Sequence, residues 1–133
     1  MHKKLALDEQ IGIEAFLNRK GWGNMERTGS GLYIFPRPTA NSHSIPIKYG
    51  DTVVFSAKIF LLNGTKIFDG IQTVIIGKTE IIQGLREALG RVRYGENAFL
   101  VVPSHLAFGF SGDGDAVPPY ATLIYELNIR NKN

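Results

Sequence analysis

Residues 74–109 constrain this chain more than any other stretch, because they set one short helix inside a run of strands. The stretch opens on apolar residues 74–76, breaks at Gly77 and continues as K-T-E-I-I-Q-G-L-R-E-A-L. Ile81, Ile82, Leu85, Ala88 and Leu89 recur at the three- and four-residue spacing of one helical face, with Gln83, Arg86 and Glu87 on the other. Thr79 is placed to cap the first turn, and Glu80 suits the positive end of the helix dipole. After Arg93 the triplet Y-G-E reads as a turn, and A-F-L-V-V-P as a strand closed by Pro103. A helix of about three turns is too short to enclose a core. The strands must wrap it.

The rest of the chain supplies those strands. Residues 8–20 read as a helix, with Asp8 as its cap, Arg19 and Lys20 in its last turn and Gly21 just past its end. Leu7, Ile11 and Ala15 form one apolar stripe and Ile13, Phe16 and Leu17 an adjacent one, so this helix needs a surface to lie on. Residues 25–35 suggest a hairpin around T-G-S-G, and the polar, proline-bearing 36–46 a loop. Residues 48–51 turn into a long alternating strand, 52–62. Asn63-Gly64 predicts a type I′ hairpin, and 66–69 return from it. In the last strand, 121–129, Leu123, Tyr125, Leu127 and Ile129 share a face.

This pattern predicts an α+β fold, a curved antiparallel sheet of about five strands wrapped around a short central helix, with an extra N-terminal helix. The chain divides into an N-terminal helical segment, 1–23, and a main domain, 24–133. Ala98, Leu100 and Val102 should face the central helix, yet Val54, Phe99, Val101 and Ile124 make the opposite sheet face apolar too. An uncovered antiparallel sheet carries polar residues there. The N-terminal helix is the nearest cover.

Composition excludes several classes of function. The 133 residues suffice for one domain, and 44% hydrophobic with 20% charged residues is ordinary for a globular protein. A net charge of +3 without a basic run interleaved with aromatics argues against nucleic acid as a partner. The absence of cysteine excludes disulfides and thiol chemistry. No apolar run approaches the ~20 residues of a membrane-spanning helix. Gly77-Lys78-Thr79 ends like a phosphate loop, but Gln72 stands where its first glycine belongs. Gly112 and Gly114 begin a dinucleotide fingerprint whose third glycine is Val117. Asp113-Gly114-Asp115 lacks the remaining ligands of a calcium loop, and 109–112 fall one residue short of a nucleophile elbow. His2, His43 and His105 share no metal-ligand spacing, so no metal or other cofactor is expected.

L-L-N-G-T-K-I-F-D, G-K-T-E-I-I-Q-G-L-R-E-A-L, A-F-L-V-V-P-S-H-L-A-F-G and V-P-P-Y-A-T-L-I-Y-E-L occur in that order. Together they resemble the FKBP-type peptidyl-prolyl isomerases, over roughly residues 50–129. The resemblance implies an apolar proline-binding pocket that assists protein folding without a nucleophile or proton transfer. Leu85 takes the place of the family's aromatic floor, and Ile81 and Ile82 match a pair whose second backbone N–H binds a substrate carbonyl. Phe68 and Asp69 match the family's Phe-Asp pair, and Phe108 stands where a tyrosine hydroxyl usually bonds the substrate. Val117 and Tyr125 match the flap and rear wall, and Ala57 replaces an inward tyrosine. Asp69, Ile82 and Phe108 are thereby implied as catalytic, and Phe68, Ile81, Leu85, Val117, Tyr125 and Ala57 as substrate-binding.

The segment after Asp69 is shortened to Gly70-Ile71-Gln72-Thr73, which deletes a bulge, a basic partner for the aspartate and a second pocket aromatic. The implied partners are proline-containing polypeptides, and the implied state is a monomer or weak homodimer. The alternative is an FKBP-fold chaperone or peptide-binding module with weak or no turnover. The N-terminal helix followed by K-G-W and T-G-S-G-L-Y resembles extracytoplasmic bacterial members, many of them lipoproteins. That implies a periplasmic or cell-envelope address, with the cytoplasm as the alternative, and any membrane anchor is expected outside this sequence.

Overall fold

In the computed structural model, which describes residues 3–40, 42 and 44–132, the central helix α2 (Gln83–Leu89) is shorter than its spacing predicts. Thr79 does not cap it. The Thr79 hydroxyl instead accepts the Ile75 amide at 2.8 Å, closing the turn before the helix. Ile82 occupies the N-cap position in extended conformation, φ −62° and ψ 151°, with no side-chain cap. The Ile81-Ile82 doublet is β-branched and favours extended backbone, and both side chains pack on the edge of the core without helical geometry. His2 and His43 lie outside the described residues.

Among the described residues six strands form one antiparallel sheet. They are β1 (Glu26–Arg27), β2 (Tyr33–Arg37), β3 (Thr52–Leu61), β4 (Lys66–Ile75), β5 (Asn97–Val102) and β6 (Leu123–Ile129), in the order β1-β2-β5-β6-β3-β4. The early hairpin joins this same sheet by pairing β2 with β5, Tyr33 opposite Val101. β4 is one strand where the sequence suggested two short ones, and it pairs with β3 without interruption from Thr52↔Ile75 to Ile59↔Phe68. No bulge therefore lies between Asp69 and Val74; the irregularity falls nearer the hairpin, between Ile59 and Phe60.

The Asn63-Gly64 hairpin is not type I′. That turn needs positive φ at both central residues, and only Gly64 has it, at 95°. Gly64 N–H donates to Leu61 O at 2.9 Å and Leu61 N–H to Thr65 O at 2.8 Å, the pattern of a tight turn followed by a glycine bulge. The Asn63 side chain accepts the Thr65 amide at 3.0 Å, which holds the turn in this form.

Both sheet faces carry buried apolar residues, although the outer row of β4 is exposed. On one, Leu85, Ala88 and Leu89 of α2 meet the inward rows Val53, Phe55, Ala57 and Ile59, Ala98, Leu100 and Val102, and Leu123, Tyr125 and Leu127. Gly84 permits this contact, since a Cβ there would lie 2.4 Å from Val102 Cγ1. On the other face, α1 (Lys3–Lys20) sets Ile13, Phe16 and Leu17 against Tyr33, Phe99, Val101 and Ile124. The N-terminal helix thus covers the apolar outer face, although Val54 lies outside that cluster and stays half-buried.

α1 also begins earlier than expected. Asp8 sits in its interior, exposed, and not at its cap. Past its end, Gly21 N–H donates to Asn18 O at 3.2 Å and Trp22 N–H to Leu17 O at 2.8 Å, which satisfies two terminal carbonyls. Trp22 then folds back to stack on Phe99 at 4.9 Å between ring centres. The other stripe faces water, with Leu7 58% and Ile11 57% exposed.

Candidate functional site

Where the inner ends of β4, β6 and α2 meet the loop after β5, an apolar cleft of about 640 Å³ opens. Leu85, in the first turn of α2, lies at its base and is 3% exposed. Phe68 enters from β4 because the strand's alternation puts it on the inner row, opposite Ile59. Tyr125 enters from β6, flanked across the sheet by Ile59 and Leu100. Ile81 and Ile82 form the wall that leads into α2.

The loop supplies the remaining side. Phe108 stands on the rim, just after the 3-10 turn Ser104–Leu106. Val117 is buried against the core, and its amide donates to Asp113 Oδ1 at 2.8 Å. Tyr120 N–H donates to Gly109 O at 2.9 Å and closes the loop at its base. The root of the loop is tied to α1. Glu9 accepts from Ser104 N–H at 2.9 Å, Ser104 Oγ–H at 3.0 Å and Thr122 Oγ1–H at 2.8 Å.

Seven of the residues singled out from the sequence are brought together here: Phe68, Ile81, Ile82, Leu85, Phe108, Val117 and Tyr125. Two are not. Ala57 is buried in the core without bordering the cleft, and Asp69 lies on the outer row of β4, opposite Lys58. From Phe68 to Ile75 the pairing with β3 is unbroken, so alternation turns Asp69, the residue after Phe68, to the opposite face. Asp69 instead pairs with Lys66 at 3.0 Å in an exposed ion pair.

The sequence reading missed Gln72, Glu80, Asp113 and Asp115 as lining residues. Reading β4 as continuous would have put Gln72 on the same row as Phe68. The three carboxylates sit at the mouth, and among the described residues no Lys, Arg or His lines the cleft. Burial pushes the Tyr125 hydroxyl well above the usual phenol range, so it remains protonated. Among the described residues no three His, Asp or Glu side chains converge to hold a metal ion.

A second, polar groove of about 810 Å³ runs past Asp51, Tyr94 and Lys132. Its polar groups are engaged with one another: the Tyr94 hydroxyl donates to Asp51 at 2.8 Å, and Lys132 lies 3.9 Å from the same carboxylate. The apolar cleft is the better candidate, because binding sites are mostly apolar with a few convergent polar groups.

Comparison with known proteins points to the same cleft-bearing fold. Residues 44–130 match the family described as FKBP-type peptidyl-prolyl cis-trans isomerase. An FK506-binding protein of Neisseria meningitidis serogroup B is 33% identical over 75 residues, 53% of this chain and 69% of that one. A Mus musculus protein, peptidyl-prolyl cis-trans isomerase FKBP10, is 33% identical over 98 residues, 70% of this chain and 16% of that one. The crystal structure of FkpA from Escherichia coli matches with a TM-score of 0.79 at 23% identity, covering 97% of this chain and 61% of that one. At that identity the likeness speaks for the fold, and its coverage takes in α1. With the family matched over more than half of its length, the chain belongs to the FKBP-type peptidyl-prolyl cis-trans isomerases.

Proposed function

We propose that this cleft receives a proline ring and lowers the barrier to rotation about the preceding peptide bond. That barrier is on the order of 20 kcal/mol and comes from amide resonance. Resonance separates charge, so water favours the planar amide over the twisted one. A dry cleft withdraws that preference, and the gain in rate is preferential stabilisation of the twisted state. The observation that carries the reading is the lining itself: Phe68, Leu85, Val117 and Tyr125 enclose an apolar space with no nucleophile–base pair.

In this reading Phe68, Leu85 and Tyr125 hold the ring, Ile81 and Val117 flank it, and Phe108 covers it from the rim. The Ile82 amide takes a substrate carbonyl; it stands at the start of α2 and has no backbone partner among the described residues. Ala57 and Asp69 act from outside the cleft, Ala57 through core packing. Leu85 offers less flat surface than an aromatic would, so turnover is modest. Residues 24–133 form the isomerase unit, and 1–23 the segment docked on its back.

Refolding of a protein whose slow phase is proline isomerisation tests the reading. Acceleration that scales with the concentration of this protein supports it, and equal rates with and without the protein refute turnover. A second reading, a peptide-binding module without turnover, is favoured by exposed aromatics on the loop that borders the cleft, Phe108 at its rim 39% and Phe110 beyond it 72% exposed. Affinity for proline-containing peptides without rate enhancement would select it. The extracytoplasmic address rests on the resemblance of the N-terminal segment, and fractionation of the host cell decides it.

A further inference from the structure

We propose that the free edge of β4, residues 69–73, takes up the client chain beside its proline as an added antiparallel strand. The proposal rests on the prolyl-binding reading of the cleft and extends it to the chain that the proline brings with it. β4 is the last strand of the sheet and, among the described residues, pairs with β3 alone. Hydrogen bonds at its end show which backbone groups face outward. Ile76 N–H donates to Asp51 O at 2.9 Å, towards β3. Ile75 N–H instead donates to Thr79 Oγ1 at 2.8 Å, and Ile75 O accepts the Lys78 and Thr79 amides. Ile75 thus directs both groups away from β3, and the unbroken register carries that direction to Thr73, Ile71 and Asp69. Val54 agrees: it stands opposite Thr73, yet its carbonyl accepts from Arg130, just past β6. The turn after β4 occupies Ile75, so the open edge ends there. The backbone N–H and C=O groups of Asp69, Ile71 and Thr73 have no partner among the described residues.

Proteins usually blunt such an edge with a bulge, a proline or a lysine. Residues 69–73 have none of these, and their one charged side chain, Asp69, is paired with Lys66. At the centre stands Ile71, apolar and 61% exposed. The occupant follows from what adjoins the edge. Phe68 and Gln72, on the inner row of the same strand, line the cleft, so a chain whose proline sits in the cleft emerges beside the edge. Held by its proline, that chain meets the edge at high effective concentration, and a few rungs suffice. A second copy has no such hold. Five residues of edge, about 17 Å, supply little of the roughly 1,200–2,000 Å² that stable protein pairs bury. The client stretch that fits is extended and free of proline opposite Asp69, Ile71 and Thr73, where it must offer N–H groups. A β-branched or aromatic residue opposite Ile71 fits best, because cross-strand apolar pairs stabilise the ladder.

Backbone N-methylation of the client tests this on the unaltered full chain. The probe is a capped peptide with about six residues on either side of one proline, methylated at one nitrogen at a time. Calorimetry should show Kd raised about two- to tenfold at alternate positions along one flank. The positions between, whose N–H groups face water, should change little. Ile71→Pro is the reciprocal arm, since it removes an outward donor and no bond to β3. It should weaken the long peptide about tenfold and leave the isomerisation of a capped Ala-Pro dipeptide, confined to the cleft, unchanged. Ile71→Ala keeps the N–H and should weaken the long peptide less. Methylation without effect or without alternation overturns the proposal, as does an Ile71→Pro variant that binds the long peptide like wild type. If that variant misfolds, the methylation series still decides. A dimer in sedimentation that Ile71→Pro dissolves would assign the edge to a second copy and overturn the client assignment. Replacing the probe's proline by alanine separates the two readings. Binding that survives with its alternating pattern refutes proline recognition and keeps the edge. Proline-dependent binding without the pattern keeps the cleft and refutes the edge. If no peptide binds, both fall.

Discussion

Asp51 and Tyr94 show how single residues tie distant segments and set the pH range of the fold. The Lys48 backbone N–H donates to Asp51 at 3.0 Å and the Tyr94 hydroxyl at 2.8 Å, and these bonds hold the carboxyl below its usual range. Burial and the same carboxylate push Tyr94 up to about 12. Glu87 is held low by Ser30, Thr28 and Arg91 against the opposing effect of burial. A depressed carboxyl stabilises the fold above its unfolded pKa and loses that contribution as pH falls. A raised phenol stabilises it below its unfolded pKa and loses that as pH rises. The thermal midpoint should therefore hold steady near neutrality, fall as pH drops below 4.5 and then 3.8, and fall again from 10.0 toward about 12. Tyr94→Phe should shrink the alkaline loss, leaving the part due to Tyr125, and also reduce the acid loss; calorimetry across pH checks both. At the rim, Phe108→Tyr adds a donor worth roughly 0.5–1.5 kcal/mol if it pairs with substrate. A several-fold rise in kcat/KM is the expected outcome of a peptide isomerisation assay.

Elements were legible from the sequence where alternation had one answer and obscure where it had two. The inner rows of β3, β5 and β6 follow from period-two patterning, and the apolar outer row Phe99, Val101 and Ile124 correctly demanded a cover. Which stripe of α1 would provide it was not legible, because Leu7–Ile11 and Ile13–Phe16–Leu17 both fit a helical face. Contact with a sheet admits one. The start of α2 was obscured by Ile81 and Ile82, whose spacing continues the helical stripe although their backbone does not. Gly70 hid the continuity of β4 and with it both the outward turn of Asp69 and the inward one of Gln72.

The α1 contact carries two predictions. Phe16 is 6% exposed, and Phe16→Ala should cost about 3–5 kcal/mol, seen as a lower denaturant midpoint and dye binding to the uncovered sheet. Glu9→Ala leaves the Ser104 amide and hydroxyl and the Thr122 hydroxyl without their acceptor. It should cost about 1.5–3 kcal/mol. Because Ser104 roots the loop that carries Phe108, faster hydrogen exchange across 104–110 should accompany the loss.

For the molecule as a whole, charge is distributed against its own average. The chain carries a net +3, yet the mouth of the cleft presents Glu80, Asp113 and Asp115 with no cation among the lining residues. Asp113 is occupied in holding Val117 and the Asp115 amide. Glu80 and the Asp115 carboxylate are exposed, and neither makes an ion pair among the described residues. Their field is therefore directed at whatever approaches the cleft. Exposed charge pairs contribute about 0.2–1 kcal/mol each, and the Debye length is about 8 Å at physiological salt, so the effect is local and modest. Peptides with Lys or Arg beside the proline should be bound a few-fold better than the same peptides with Glu there. The preference should fade in high salt and reverse in Glu80→Lys/Asp115→Lys. Competition between the two peptides at low and high ionic strength measures it; equal affinities in both salts would show that client chains approach along a path that avoids these carboxylates.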